Sequence, residues 1–231
     1  MITKIVTSFS LHRFDRQAFC VRSWQRLGLP IVAVQCDTQI DQLSEMFAGL
    51  GIQWTTMPAK PNAWNRPHLA RVADHIKHTA DGPILLINSD IEIRDTQQQF
   101  AEQWLGVDAD TLICGVRLDH PRGSYRSTMH PYGIDAFRIT PAMAESLPDD
   151  GFVIGSPGWD YWLPWRISQC GYKVRAAKSQ FMHEVHQMGY GRDAVDIAHQ
   201  MMLDRFGVPP HILTLWIQWA TDRVGMRHAK K

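Results

Sequence analysis

The sequence lacks the glycine-rich loops by which many α/β proteins hold a phosphate group. It contains no G-x-G-x-x-G and no G-x-x-x-x-G-K-[ST] motif, and the turn after the first predicted strand, residues 7–11, has no glycine. This absence excludes the usual nicotinamide, flavin and P-loop sites. A nucleotide bound by this chain would need another group, such as a metal ion, to neutralise its phosphates.

Paired cysteines are also missing. The four cysteines, Cys20, Cys36, Cys114 and Cys170, are far apart in the sequence and form no Cys-x-x-Cys motif. Their spacing argues against a disulfide framework and against a cysteine-based zinc site. We therefore expect reduced cysteines that pack as small apolar side chains.

The sequence has neither a long apolar run nor an excess of charge of one sign. No run approaches the roughly 18 apolar residues that a membrane-spanning helix requires, and the first residues show no signal-peptide pattern. We therefore expect a cytoplasmic protein. The formal net charge of +1 gives no electrostatic reason to expect nucleic acid as a partner.

The first half of the sequence alternates strand and helix patterns. The strands are predicted at residues 2–7, 31–34, 52–57 and 84–87, and the helices at residues 13–27, 40–50 and 66–78. Short strands that alternate with helices of this length predict βαβ units, and so a parallel sheet with helices on its faces.

The second half of the sequence is less regular. Strands are predicted at residues 111–118, 134–139, 173–177 and 181–186, and helices after Thr140-Pro141 and at residues 159–169. The last forty or so residues have a helical pattern. Because no linker interrupts the chain, we predict a single domain over residues 1–231.

The most informative segment is the apolar run at residues 84–87, which is followed directly by Asn88, Ser89 and Asp90. Four consecutive aliphatic residues are typical of a strand buried on both faces. Ligands bind outside the carboxyl ends of the strands in open α/β sheets, so these side chains would lie at a binding edge. They could hold a divalent cation, although an aspartate at a strand end often only caps the next turn.

A second informative segment, Gly-Ser-Pro-Gly-Trp-Asp-Tyr-Trp-Leu at residues 155–163, contains Asp160 at a predicted helix start. Its carboxylate could take a proton from a hydroxyl, with Gly158 shaping the turn and Trp159 and Trp162 offering faces on which a sugar could stack. The alternative is an aspartate favoured by the helix dipole, with both tryptophans in the core.

A third segment contains His183 and His186, followed by Tyr190. In an extended segment these two histidines would point to opposite faces, so we expect at most one of them to reach a given metal ion. Each is equally compatible with a structural, hydrogen-bonded role, and His-x-x-His without a cysteine does not specify a zinc site.

These segments, in this order, resemble glycosyltransferases of the GT-A fold. The resemblance covers residues 2–190 and is strongest to prokaryotic and viral-type members with a Gly-x-Pro-Gly-Trp-Asp-x-Trp-Leu segment and a downstream His-x-x-His. It implies an α/β, Rossmann-like, mostly parallel sheet flanked by helices, with an embellished C-terminal half. It also implies a nucleotide-binding part at residues 1–110, an acceptor and metal part at 111–190, and C-terminal helices at 191–231.

The resemblance also implies roles for individual residues. The nucleotide would be contacted by Thr7, Ser8, Asp37, Asn88, Ser89 and Asp90. Asp90 would bind Mn²⁺ or Mg²⁺ with His186 or, as the alternative, His183, and Asp160 would be the catalytic base of an inverting enzyme. Asn88 departs from the family, because it stands where the first aspartate of the Asp-x-Asp motif is found.

The implied reaction moves a sugar from a nucleotide-diphosphate sugar to an acceptor hydroxyl. Positive charge for the phosphates could come from Lys60, Arg66 or Arg117, among which the sequence does not choose. The alternatives are a catalytically silent GT-A-like module that binds a nucleotide sugar or glycan, a nucleotidyltransferase and a histidine-rich metallohydrolase. The nucleotidyltransferase is disfavoured by the missing glycine-rich loop, and the metallohydrolase by the apolar surroundings of Asp160.

The apolar segment at residues 211–220 is followed by a basic tail at residues 223–231. Tryptophan together with lysine and arginine suits a membrane interface, so a peripheral membrane contact is one expectation. Packing against the domain itself or in a homodimer is the alternative that we favour, because Asp222 interrupts the basic character of this segment.

Overall fold

The computed structural model describes residues 1–58, 67–122, 124, 127–149, 151–186, 196 and 200. The strands are β1 (Ile5–Thr7), β2 (Ile31–Cys36), β3 (Ile52–Met57), β4 (Ile84–Ile87), β5 (Ile91–Ile93), β6 (Thr111–His120), β7 (Thr128–Ile139) and β8 (Lys173–Glu184). The helices are α1 (Phe14–Gln25), α2 (Ile40–Met46), α3 (Leu69–Thr79), α4 (Gln97–Trp104), α5 (Pro141–Glu145) and α6 (Trp159–Gln169). None of these helices has the length and apolar character needed to cross a bilayer.

The strands form one eight-stranded sheet in the order β3-β2-β1-β4-β7-β6-β8-β5. The predicted parallel front half is confirmed, since β2 pairs in parallel with β3, and β1 with β2 and β4. The second half is mixed, because β7 is antiparallel to both β4 and β6. The short connection from β6 to β7 explains this difference, since a parallel pair requires a much longer crossover.

The sheet must curl between β4 and β5, which only residues 88–90 connect. Four strand spacings separate these strands in the sheet order, about 19 Å if the sheet were flat. The chain from Ile87 to Ile91 spans at most about 14 Å. The curl therefore brings the outer end of the sheet towards the carboxyl end of β4, where Asp90 lies.

Helix α1 covers the outer edge of β5 with hydrogen-bonding side chains. Trp24 Nε1 donates to the Ile91 carbonyl at 2.8 Å, and Ser23 Oγ accepts from the Ile93 amide at 3.0 Å. Arg26 donates to the Ile93 carbonyl at 2.7 Å. These bonds satisfy backbone groups that an edge strand would otherwise leave open. This strand was not predicted from the sequence.

Two hydrophobic clusters pack against the sheet. One contains residues of α3, α5 and α6, and the other contains residues of α1, α2 and α4. The sequence analysis also missed α4, although Thr96 and Gln99 form a capping box at its start. The two strands predicted at residues 173–186 are a single strand, β8, which ends at Glu184.

Candidate functional site

The predicted nucleotide-binding residues lie at the carboxyl edge of the parallel strands. Thr7 ends β1 and Ser8 follows it. Thr7 Oγ1 donates to the Ile87 carbonyl at 2.7 Å, and Ser8 Oγ donates to Gln35 Oε1 at 3.0 Å. Asp37 follows β2 and is exposed. This edge therefore contains an exposed carboxylate and two hydroxyl groups whose hydrogen bonds connect β1 to its neighbouring strands.

Gln17, a buried residue of α1, ties the loop after β1 to the turn after β4. Its Oε1 accepts from Ser89 Oγ at 2.8 Å and from the Ser10 amide at 3.0 Å. Its Nε2 donates to the Ser10 and His12 carbonyls. Ser89 was expected to contact the nucleotide, but its hydroxyl group donates this internal hydrogen bond.

Asp90, His183 and His186 come together where the curl closes. The Nε2 atoms of His183 and His186 lie 3.5 and 3.4 Å from Asp90 Oδ2. One ligand atom from each residue lies within 4.8 Å of the others, so the three side chains could hold a metal ion. The Asp90 side chain is 29% exposed, so the group remains open to solvent.

The expectation that only one histidine could reach the metal is wrong. Strand β8 ends at Glu184, so His186 lies beyond the strand and the alternation of side chains no longer applies to it. The aromatic rings of His183 and His186 have centroids 5.2 Å apart. Both alternatives of the sequence analysis, His186 and His183, therefore approach the same carboxylate.

The two histidines change the protonation of Asp90. Burial alone would raise the pKa of the Asp90 carboxyl, but hydrogen bonds from His183 and His186 outweigh this effect and hold that pKa well below its usual range. Burial alone would lower the pKa of His183, but the hydrogen bond to Asp90 raises it. Asp90 is therefore ionised at neutral pH and attracts cations.

A series of charged contacts connects His183 to the end of β4. His183 Nδ1 lies 3.0 Å from Asp119 Oδ1, and Arg117 Nε lies 2.9 Å from the same oxygen. Arg117 Nη1 lies 3.2 Å from Asp135 Oδ2, and Asn88 Nδ2 donates to Asp135 Oδ1 at 2.6 Å. The amide of Asn88 thus serves as a donor to a carboxylate that a neighbouring strand supplies.

Asp160 lies in the first turn of α6, after Gly158, whose φ of 90° favours glycine at this N-cap. Part of the Asp160 residue is exposed, but its carboxyl group is surrounded by protein atoms. Burial raises the pKa of Asp160 to about 8, and the charge of Asp135 acts in the same direction. A carboxyl with a pKa near the working pH is suited to general-base catalysis.

Trp159 and Trp162 lie in the core rather than on an open surface. Each is 1% exposed. Trp159 packs edge-on against Phe137, and Trp162 stacks on Phe152, with ring centroids 5.3 and 5.0 Å apart. Neither ring presents a face to a sugar in this structure, so their burial does not support the predicted stacking role. The apolar spacing of this helix turns both rings towards the sheet.

Some predicted features lie outside the described residues. These are Lys60, Arg66, Tyr190, and the C-terminal segments at residues 211–220 and 223–231. The remaining cation candidate, Arg117, is engaged with Asp119 and Asp135.

Comparison with known proteins gives a structural match only. No protein-family model and no curated protein matches the sequence. Among solved structures, the chain is similar to GalNAc-T7, in a crystal structure with UDP, GalNAc and Mn²⁺. The TM-score is 0.61 and the identity 11%, and the match covers 90% of this chain but only 50% of the neighbour.

The chain has the GT-A glycosyltransferase fold. The fold class expected from the sequence is therefore confirmed, with a mixed sheet in place of a purely parallel one. The chain spans about half the length of the neighbour.

Two carboxylates near Asp90 and the histidines, Asp119 and Asp135, were not predicted from the sequence. Asp119 lies two residues after Arg117 on β6, and Asp135 lies two residues after Gly133 on β7, so the members of each pair share a face of their strand. A Cβ at Gly133 would lie 2.8 Å from Arg117 Nε, so this glycine leaves room for the guanidinium group. The Arg-x-Asp and Gly-x-Asp patterns were the only available signals, and neither specifies a strand partner.

Proposed function

We propose that this protein is a metal-dependent glycosyltransferase that moves a sugar from a nucleoside-diphosphate sugar to an acceptor hydroxyl, with inversion at the anomeric carbon. The observation that carries this proposal is the convergence of Asp90, His183 and His186 at the binding edge of a GT-A fold. The UDP, GalNAc and Mn²⁺ in the neighbour's structure support the same class of ligand.

The donor atoms of Asp90, His183 and His186 suit a divalent transition metal. One carboxylate oxygen and two imidazole nitrogens favour Mn²⁺ over Mg²⁺, since Mg²⁺ prefers oxygen ligands. Three protein ligands would leave coordination positions for the diphosphate oxygens of the donor. When bound, the metal would supply Lewis-acid stabilisation of the departing diphosphate.

The balance of charge also favours a bound cation. Asp90, Asp119 and Asp135 bring three carboxylates to this region, and Arg117 is paired with two of them. A nucleoside diphosphate would be repelled by this group unless a divalent ion intervened. Of the nucleotide contacts expected from the sequence, Asp37 remains an exposed candidate for the ribose or base.

Asp160 would act as the catalytic base. Its carboxylate would accept the proton of the acceptor hydroxyl as the acceptor oxygen forms a bond to the anomeric carbon. The bond from that carbon to the diphosphate oxygen breaks at the same time, and the diphosphate leaves with the bonding electrons. Direct displacement of this kind inverts the anomeric centre. The raised pKa of Asp160 supports its role as proton acceptor.

The domain organisation proposed for this function follows the sheet. Residues 1–110 contain the parallel strands β1 to β4 and would bind the nucleotide, whereas residues 111–190 supply Asp119, Asp135, Asp160 and the histidines. The second candidate function is a silent module that binds a nucleotide sugar without transferring it. Asn88, in place of the usual aspartate, is the observation that favours this alternative.

Release of nucleoside diphosphate tests the proposal against the silent module. We expect that one donor among the common UDP, GDP and CDP sugars releases its nucleoside diphosphate when Mn²⁺ and a panel of sugar acceptors are present. Chromatography of the nucleotide products measures this release, and EDTA should suppress it. Nucleotide binding that depends on Mn²⁺ without release from any donor would contradict transfer and support the silent module.

A further inference from the structure

Asp119 occupies a position from which it can orient one of the candidate metal ligands. Strands β6 and β8 are parallel neighbours, and their register pairs Asp119 directly with His183. Side chains of directly paired residues lie on the same face of a sheet, close enough to interact. The 3.0 Å distance from Asp119 Oδ1 to His183 Nδ1 follows from this register.

The two nitrogens of His183 therefore face different groups. Nδ1 faces Asp119, and Nε2 lies 3.5 Å from Asp90 Oδ2. A carboxylate can only accept, so Asp119 and Asp90 compete for the single proton of a neutral His183. Asp119 lies closer to its nitrogen than Asp90 does, at 3.0 against 3.5 Å, and so favours the tautomer with the proton on Nδ1. That tautomer leaves the lone pair of Nε2 available to a metal ion held beside Asp90.

Arg117 fixes Asp119 in turn. Arg117 Nε lies 2.9 Å from Asp119 Oδ1, and the two side chains form an ion pair. The Nε–H group does not point at this oxygen, so the contact is not a hydrogen bond. Arg117 Nη1 lies 3.2 Å from Asp135 Oδ2, so the guanidinium is held from two strands. The Asp119 side chain is 14% exposed, which limits its freedom to turn away from His183.

We infer that Asp119, held by Arg117, is a positioning residue that sets the tautomer and orientation of His183 and so tunes the metal affinity of this site. This inference rests on the proposed function, because the metal is part of that proposal. Partners of this kind, outside the ligand set, commonly change metal affinity by about 10–100-fold when they are removed.

The test uses Asp119→Ala and Asp119→Asn in the full chain. We expect Asp119→Ala to weaken Mn²⁺ binding by about 10–100-fold in calorimetric titration. The Mn²⁺ affinity of Asp119→Asn should lie between those of Asp119→Ala and the unmodified protein, because the amide oxygen of asparagine can still accept a hydrogen bond from His183 Nδ1. The matched control is Asp95→Ala, which removes a buried carboxylate that accepts from the Gln180 amide.

The His183 tautomer provides a readout that a general loss of stability would not change. In ¹⁵N NMR spectra of the metal-free protein at alkaline pH, we expect the proton on Nδ1, and a shift towards Nε2 in Asp119→Ala. The His183→Gln variant assigns the signal. An unchanged tautomer, or Mn²⁺ binding in Asp119→Ala equal to that of Asp95→Ala, would overturn the inference.

Failure of this inference is distinguishable from failure of the proposed function. If the unmodified protein transfers no sugar but the tautomer and the Mn²⁺ affinity respond as stated, Asp119 is a positioning residue in a protein with another activity. If sugar transfer occurs and neither quantity responds, the function stands and the role of Asp119 is refuted.

Discussion

Replacing Asp160 with asparagine is expected to lower the rate of sugar transfer by about 10²–10⁴-fold, the usual contribution of a general base. The amide has nearly the same shape but cannot accept the acceptor's proton. Donor binding should be unchanged, because this substitution leaves Asp90 and the histidines intact. Single-turnover rates and nucleotide affinity, measured on the same preparation, separate the two effects. Full transfer activity in Asp160→Asn would exclude Asp160 as the base.

The pH dependence of transfer provides a second test of Asp160. Because the base must be ionised and its pKa is raised to about 8, the rate should rise with pH and level off above about pH 8. The folded protein binds this proton more tightly than the unfolded chain. This tighter binding stabilises the folded protein fully when the pH is below the pKa of an aspartate in the unfolded chain. The stabilisation is then lost as the pH rises from that value to about 8.

Asp160→Asn should accordingly become more stable relative to the unmodified protein as pH increases through this range. Urea unfolding at several pH values measures the difference. This control matters because a gain in stability together with a loss of transfer excludes unfolding as the cause of the loss. A stability difference that does not vary with pH would contradict the raised pKa.

Replacing Asp90 with alanine is expected to remove Mn²⁺-dependent nucleotide binding. The Nε2 atoms of both histidines lie within 3.5 Å of Asp90 Oδ2, so this substitution removes the carboxylate from the candidate ligand set. Removing a residue that only contacts a metal ligand lowers metal affinity by up to about 100-fold. Because Asp90 is itself a candidate ligand, we expect its removal to lower Mn²⁺ affinity by at least this factor. Calorimetric titration with Mn²⁺, and then with nucleotide, measures both affinities.

Asp110→Ala is the matched control for Asp90→Ala. Asp110 lies immediately before β6, at the opposite end of that strand from Asp119, and pairs with Lys173 at 2.9 Å on the surface. Its loss should leave Mn²⁺ and nucleotide affinities unchanged, since exposed ion pairs contribute little. Nucleotide affinity that is the same in Asp90→Ala as in the unmodified protein, with and without EDTA, would remove Asp90 from the metal site.

The front half of the fold was predictable because its strands are short aliphatic runs whose burial is evident from the sequence. The boundaries of β3 agree with the prediction, and those of β4 follow from the Ile84–Ile87 run. Strand β5 could not be predicted in the same way, because its three residues include Glu92 and are flanked by the charged residues Asp90 and Arg94, so no aliphatic run marks it. Its position depends on the curl of the sheet and on side chains of α1 that reach it from far away in the sequence.

The candidate site was predictable only where a single segment contained its signal. Asp90 follows a buried strand, and His183 and His186 lie in one short segment, so each could be selected from the sequence. Asp119 and Asp135 could not, because their roles depend on how β6 pairs with β7 and β8. Trp162 was predicted to stack on a sugar but lies in the core. The sequence does not distinguish these two roles, because an aromatic ring beside a candidate base is compatible with either.

The central claim, that a metal at Asp90 binds a nucleotide sugar, is tested most directly by thermal unfolding of the full chain. UDP, GDP, CDP and their common sugars would each be added with Mn²⁺, with Mg²⁺ and with EDTA. A ligand at about 100 times its Kd stabilises the fold by roughly 2.7 kcal/mol, or about 5–10 °C for a chain of this size. The account predicts such a shift for one nucleotide, larger with Mn²⁺ than with Mg²⁺ and absent with EDTA. A shift that persists in EDTA, or no shift with any nucleotide, would contradict it.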